Sequence, residues 1–119
     1  MAADEGLVSD AALVVLDAEG VTEACRQTHP EWHQGRDFEA YAARVREALD
    51  RMGPAMRYVG LHDARGRLVA SARELSGELL WQGGRIPAMG IAAVFVRPDL
   101  RGRGIGRRLV QALMGDARA

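Results

Sequence analysis

The residues with the most evident chemical potential lie near the C-terminal end of the chain, in the run Arg101-Gly102-Arg103-Gly104-Ile105-Gly106. Alternating glycines let a backbone curl until successive N–H groups point at one anion, and a helix that starts from such a turn adds the positive end of its dipole. Arg101, Arg103, Arg107 and Arg108 bring guanidinium groups suited to forked contacts with phosphate. The implied chemistry is the grip of a phosphate-bearing ligand.

A turn of this kind needs a strand to deliver the chain and a helix to carry it away. The apolar run ending at Val96 reads as the strand, Arg97-Pro98-Asp99-Leu100 as the lead-in, and Ile105, Leu109, Val110, Leu113 and Met114 as the inward stripe of the helix. Upstream, residues 1–10 read as a flexible tail and Ala12 to Leu16 as a strand. Asp17 and Gly20 suit a turn into a helix, marked by Val21, Ala24, Cys25 and Thr28, that Pro30 is expected to stop. Glu31 to Arg36 then forms a polar loop holding Trp32 and His33. From Asp37, an N-cap residue, Phe38, Tyr41, Ala42, Val45, Ala48, Leu49 and Met52 make one apolar helical stripe, ended by Gly53-Pro54. The period then changes to that of strands. Met56 to Leu61 is one, His62 to Gly66 a turn, and Arg67 to Trp81 a second strand with Leu68, Ala70 and Ala72 on one face. Gln82-Gly83-Gly84 makes a hairpin into Arg85 to Val96, a third strand whose apolar end predicts a central, buried position. The expected fold is therefore α+β: a mostly antiparallel sheet flanked by helices, in one domain over residues 11–119, with no repeat or linker.

Composition supports this outline. A chain of 119 residues, 48% hydrophobic and 27% charged, can build one modest core and one site. Sixteen basic residues balance sixteen acidic ones, which argues against a general nucleic-acid coat or an anionic-membrane binder. The balance is uneven, however: residues 51–119 hold five acids against twelve arginines, so positive charge collects in the half that carries the glycine turn. Cys25 has no partner for an intramolecular disulfide and reads as a small buried hydrophobe. Leu13 to Leu16 is too short for a secretory signal and no segment has membrane-spanning length, so a cytoplasmic protein is expected.

The segment Val94-Phe95-Val96-Arg97-Pro98-Asp99-Leu100-Arg101-Gly102-Arg103-Gly104-Ile105-Gly106 resembles the signature of the GNAT superfamily of acyl-CoA-dependent N-acyltransferases. In that family a strand ending V-x-V-x-P precedes a turn Q/R-x-x-G-x-G/A, matched here by Arg101, Gly104 and Gly106. The run from Trp81 through Gly90 into Val94 is also similar to the enhanced-intracellular-survival type. The resemblance implies a three-layer fold, acetyl-CoA as co-substrate, an amine acceptor and no metal. It further implies that the strand bulges near its end, so that backbone groups at Val94 and Val96, flanking Phe95, pair with the pantetheine arm, while amides from Gly102 through Arg103, Gly104, Ile105 and Gly106 to Arg107 hold the pyrophosphate. Arg101 matches the motif position.

Direct attack of an amine on a thioester needs a base, donors for the developing oxyanion and an acid for the thiolate. The Val94 amide is the implied oxyanion donor. No base stands out: Ala88 to Ala93 has no ionisable side chain, and the catalytic candidates Glu74 and Glu78, like His62 in its turn, read more readily as surface residues. Trp32 and His33 are either a border of the acceptor pocket or a loop aromatic beside an exposed histidine. The family's domain continues with a further strand, a helix and usually two more strands, so the resemblance covers the front two-thirds of that fold. An incomplete reading frame is the favoured expectation, with a natural fragment or a chain completed by another subunit or oligomer partner as alternatives. Two other functions stay open: an acyl-CoA-binding chain without turnover, and, more remotely, a nucleic-acid binder using Arg97 to Arg108.

Overall fold

The computed structural model describes residues 11–118, so the tail expected at residues 1–10 lies outside the described residues. Strand β1 (Ala12–Val15) is followed by helices α1 (Ala18–Trp32) and α2 (Phe38–Met52), strands β2 (Met56–His62), β3 (Leu68–Trp81) and β4 (Gly84–Val96), and helix α3 (Ile105–Arg118). The strands make one antiparallel sheet in the order β1-β2-β3-β4.

Local chemistry sets the helix boundaries. Asp17 and Asp37 cap α1 and α2, each carboxylate accepting from the backbone N–H three residues on, at 2.8 Å. Each such cap stabilises its helix by about 1 kcal/mol. Pro30 does not stop α1 as expected. It sits in the last turn, and the helix closes beyond it through the His33 N–H donating to the His29 carbonyl at 3.1 Å. A proline there deprives the helix of one hydrogen bond, the one its missing N–H would donate to the Arg26 carbonyl, and packing of α1 against the sheet overrides that cost. Trp32 consequently belongs to the helix rather than to a loop.

The sheet divides two cores. Val59, Leu61, Ala70 and Ala72 pack on one face against Ile105, Leu109 and Leu113 of α3. Tyr58 and Leu68 meet Val21, Ala24, Cys25, Tyr41, Ala42 and Val45 of α1 and α2 on the other. Leu109 and Leu113 are fully buried, and truncating either to alanine would cost about 2–5 kcal/mol. Leu68 was expected to share a face with Ala70 and Ala72. A register shift after Leu61, which pairs with Ala70 while His62 pairs with Leu68, breaks the alternation and turns Leu68 to the opposite core.

The third strand of the meander also departs from expectation: β4 is the edge of the described sheet. Its apolar end is covered from above and below instead of from the side. Val96 and Ile91 pack with the α3 core, Phe95 is buried on the other face, and Val94 stays 40% exposed. Beyond Leu75 the β3–β4 ribbon runs out of the core, with Leu79, Leu80, Trp81 and Ile86 exposed.

Candidate functional site

The register of β3 and β4 slips at one place. Ser71 pairs with Phe95 and Arg73 with Ala92, so Ala72 alone faces both Ala93 and Val94. This is the bulge expected near the end of the strand. Ala93 holds φ 55°, a left-handed conformation that costs a residue with a Cβ on the order of 1–3 kcal/mol and recurs where a site needs the backbone re-aimed. Past the bulge, the Arg97 N–H donates to the Val69 carbonyl at 3.0 Å. By antiparallel alternation the backbone groups of Val96 then face away from β3, onto the open edge.

From that edge the chain turns through Pro98–Leu100 into the glycines. Gly102 and Gly104 have φ of 84° and 76°, and a Cβ at either would meet nothing within 4 Å. Their glycines are required by conformation, and the space above them is open. Gly106 differs: its Cβ would lie 3.3 Å from Val96 Cγ2, so this glycine lets α3 pack closely against the end of β4. The Arg108 N–H donates to the Gly104 carbonyl at 3.1 Å, starting the helix, and leaves the amides ahead of it pointing out of the turn.

The arginines are less available than the sequence suggests. Arg97 donates to both Asp99 oxygens, at 2.7 and 3.0 Å, a contact that lowers the Asp99 pKa. Arg101 sends its two terminal nitrogens to the Glu31 carboxylate at 3.1 and 2.6 Å, its Nε to the Val96 carbonyl at 3.0 Å, and lies 5.0 Å from the Phe95 ring centroid. Arg103 and Arg107 are exposed. The unbroken basic patch required by the nucleic-acid reading is therefore divided by Asp99 and Glu31.

Between α2 and the bulge lies a cleft of about 520 Å³. Trp32 borders it and meets the Phe95 ring edge-on at 5.2 Å, while Tyr41, Val45 and Ala48 of α2 form a wall and Ala93 of the bulge opens onto it. Tyr41 is core as expected, its hydroxyl donating to Thr28 Oγ1 at 2.7 Å. His33 is exposed outside the lining, its Nδ1 accepting from the Gly35 N–H at 2.9 Å. Neither carboxylate candidate reaches the cleft. Glu74 is buried rather than superficial, paired with Arg57 Nε at 2.7 Å on the α3 face of the sheet, and Glu78 lies on the exposed outer ribbon. His62 ends β2 away from the lining. Cys25 is fully buried, and burial pushes its thiol pKa up against the opposing pull of Arg46 and Arg73, so it is packing and not a nucleophile. Among the described residues no cluster of three metal-ligating side chains occurs, and no helix is long and apolar enough to cross a membrane.

Sequence reasoning missed three participants: Glu31 as the partner of Arg101, Arg73, and the cleft face of α2. Charge alternation around Glu31 carried no such signal, because the pair spans 70 residues of sequence.

This geometry has counterparts. A family model described as an acetyltransferase (GNAT) domain matches residues 21–119. No curated protein matches. Among solved structures, a GCN5-related N-acetyltransferase from Kribbella flavida is 29% identical with a TM-score of 0.70, over 92% of this chain and 27% of that one. This chain thus spans about a quarter of the Kribbella protein. An acetyltransferase from Trypanosoma brucei is 23% identical with a TM-score of 0.65, over 92% of this chain and 75% of that one. A GNAT family acetyltransferase from Brucella melitensis, solved with acetyl-CoA, shares the fold at 15% identity and a TM-score of 0.65, over 91% of this chain and 68% of that one.

Proposed function

Since the chain belongs to the acetyltransferase (GNAT) family, we propose that it transfers an acetyl group from acetyl-CoA to an amine. The observation that carries the reading is the bulge at Ala93 and Val94. It lies on one strand between the open glycine turn and the cleft, so a ligand gripped by phosphate at the turn and running along β4 would bring its far end to the mouth of the cleft.

In this reading the amides from Gly102 to Arg107 hold the pyrophosphate. The outward backbone groups of Val94 and Val96 pair with the pantetheine amides as an added strand would. Arg101 must leave the Val96 carbonyl, or share it, as the arm arrives; its guanidinium is then within the turn's own neighbourhood to meet phosphate. Arg103 and Arg107 add exposed positive charge beside the turn. The amine enters through the cleft past Trp32 and attacks the thioester carbonyl. A C–N bond forms, the oxyanion is received by the Val94 amide, and collapse breaks the C–S bond, the amine's proton ending on the departing sulfur. Narrower placement in the enhanced-intracellular-survival type has the Trp81–Val94 run as its support.

The test is turnover of acetyl-CoA, read as free thiol, with a panel of primary amines on the isolated chain. Amine-dependent thiol release is expected. Tight binding of acetyl-CoA without amine-dependent release would leave a binding protein in place of an enzyme.

A further inference from the structure

The cleft beside the bulge is basic for a protein of zero net charge. Arg36, Arg44, Arg51 and Arg73 contribute to its lining against a single carboxylate, Glu47, which already lies 3.9 Å from Arg51. Arg73 is the unusual member. Like exposed Arg44, and unlike Arg57, Arg67, Arg97 and Arg101, Arg73 has no ion-pair partner among the described residues; what sets it apart is that it is also shielded from water. Its side chain is half-buried, with the guanidinium carbon 5.5 Å from the Tyr58 ring centroid and an Nε that is buried and donates to nothing. A charged donor kept from water without a partner is costly, and a ligand anion is what such a group lacks. Its place is also specific: Arg73 pairs across the ladder with Ala92, the residue before the bulge. Arg44, exposed on the α2 side, has no ion-pair partner among the described residues either.

We infer that the acceptor is an amine carrying an anionic group, carboxylate or phosphate, which Arg73 and Arg44 receive in the cleft while the amine faces Ala93. The inference rests on the transferase reading for the word acceptor; the anion preference itself is a property of the cleft and can be read by binding alone. A neutral or polycationic acceptor would leave Arg73 unpaired, and a polycation would be repelled by the rim.

The experiment titrates the whole chain, saturated with coenzyme A, with two matched pairs: 4-aminobutyrate against n-butylamine, and phosphoethanolamine against ethanolamine. In at least one pair the acidic member should bind about tenfold tighter or better, the worth of one charge-assisted hydrogen bond. The pair that shows it distinguishes carboxylate from phosphate. Arg73→Met should remove about tenfold from that preference without weakening the neutral amine, and Arg44→Gln, at an exposed position that does not threaten folding, should remove a smaller part. Coenzyme A affinity should stay the same in both variants. Equal or undetectable binding within both pairs, or a preference that survives both substitutions, overturns the inference. Absence of turnover with all four amines while the acid preference persists would instead count against the transferase reading.

Discussion

The glycine turn and the arginine-lined cleft flank the same bulge, yet they are built in opposite ways. The turn is made of backbone from one short stretch, and its geometry follows from two left-handed glycines over open space. The cleft is made of side chains from α1, the following loop, α2, β3 and β4, and its character comes from charge. Substitutions should therefore act on the turn through conformation and on the cleft through electrostatics.

The largest expected effect is at Gly104. Replacing it by valine forces a β-branched residue to φ near 76°, at a cost of about 1–2 kcal/mol if the conformation is kept. With no atom to clash against, the chain should stay folded by circular dichroism while acetyl-CoA affinity falls at least a hundredfold. Retained affinity would move the phosphate site elsewhere. Gly106→Leu should show the reverse balance. Its Cβ would press on Val96, so denaturant titration should report a loss of about 1–3 kcal/mol in stability. A smaller loss of affinity than for Gly104→Val would confirm that one glycine serves the turn and the other the packing of α3.

Ala93→Gly should relieve the left-handed strain and raise stability by about 1 kcal/mol, measured by chemical denaturation. A destabilised variant would mean that the Ala93 methyl group packs usefully in the cleft. Glu31→Gln removes the charge that holds Arg101. Because this pair is exposed on both sides, stability should barely change, but acetyl-CoA should bind about twofold to fivefold tighter if Arg101 then meets phosphate. Unchanged affinity would leave Arg101 as a latch on α1.

The smallest effect concerns acid. Asp99 has its pKa lowered chiefly by the Arg97 hydrogen bond, so this contact's contribution is present above the usual carboxylate pKa and is lost as pH falls through the depressed value. Asp99→Asn should therefore lower stability slightly at neutral pH, where the contact is present, and leave it unchanged below the depressed pKa, so the acidic limb of a stability-against-pH curve flattens; the exposure of Asp99 keeps the loss small.

What was legible in the sequence follows the same division. Element order, both helix caps, the hairpin and the left-handed glycines are local, and local chemistry dictates them. The GNAT family could be recognised because its signature is one contiguous strand and turn. The errors came where neighbours in space decide. Pro30 was tolerated because it fell in the last turn, Leu68 changed faces because of a slip in its ladder with β2, and the apolar end of β4 is covered by helices with no further strand beside it among the described residues. Glu74 was expected on the surface and is buried against Arg57. The arginine cleft was invisible because Arg36, Arg44, Arg51 and Arg73 lie too far apart in sequence to form a pattern.

The most direct measurement is of where acetyl-CoA touches the chain. Backbone amide resonances followed while acetyl-CoA is added should shift, saturably and with one-to-one stoichiometry, at Gly102 to Arg107 and at Val94, with smaller changes at Glu31. Saturable shifts confined to α2 and Arg73, or none at the glycine turn, would contradict it.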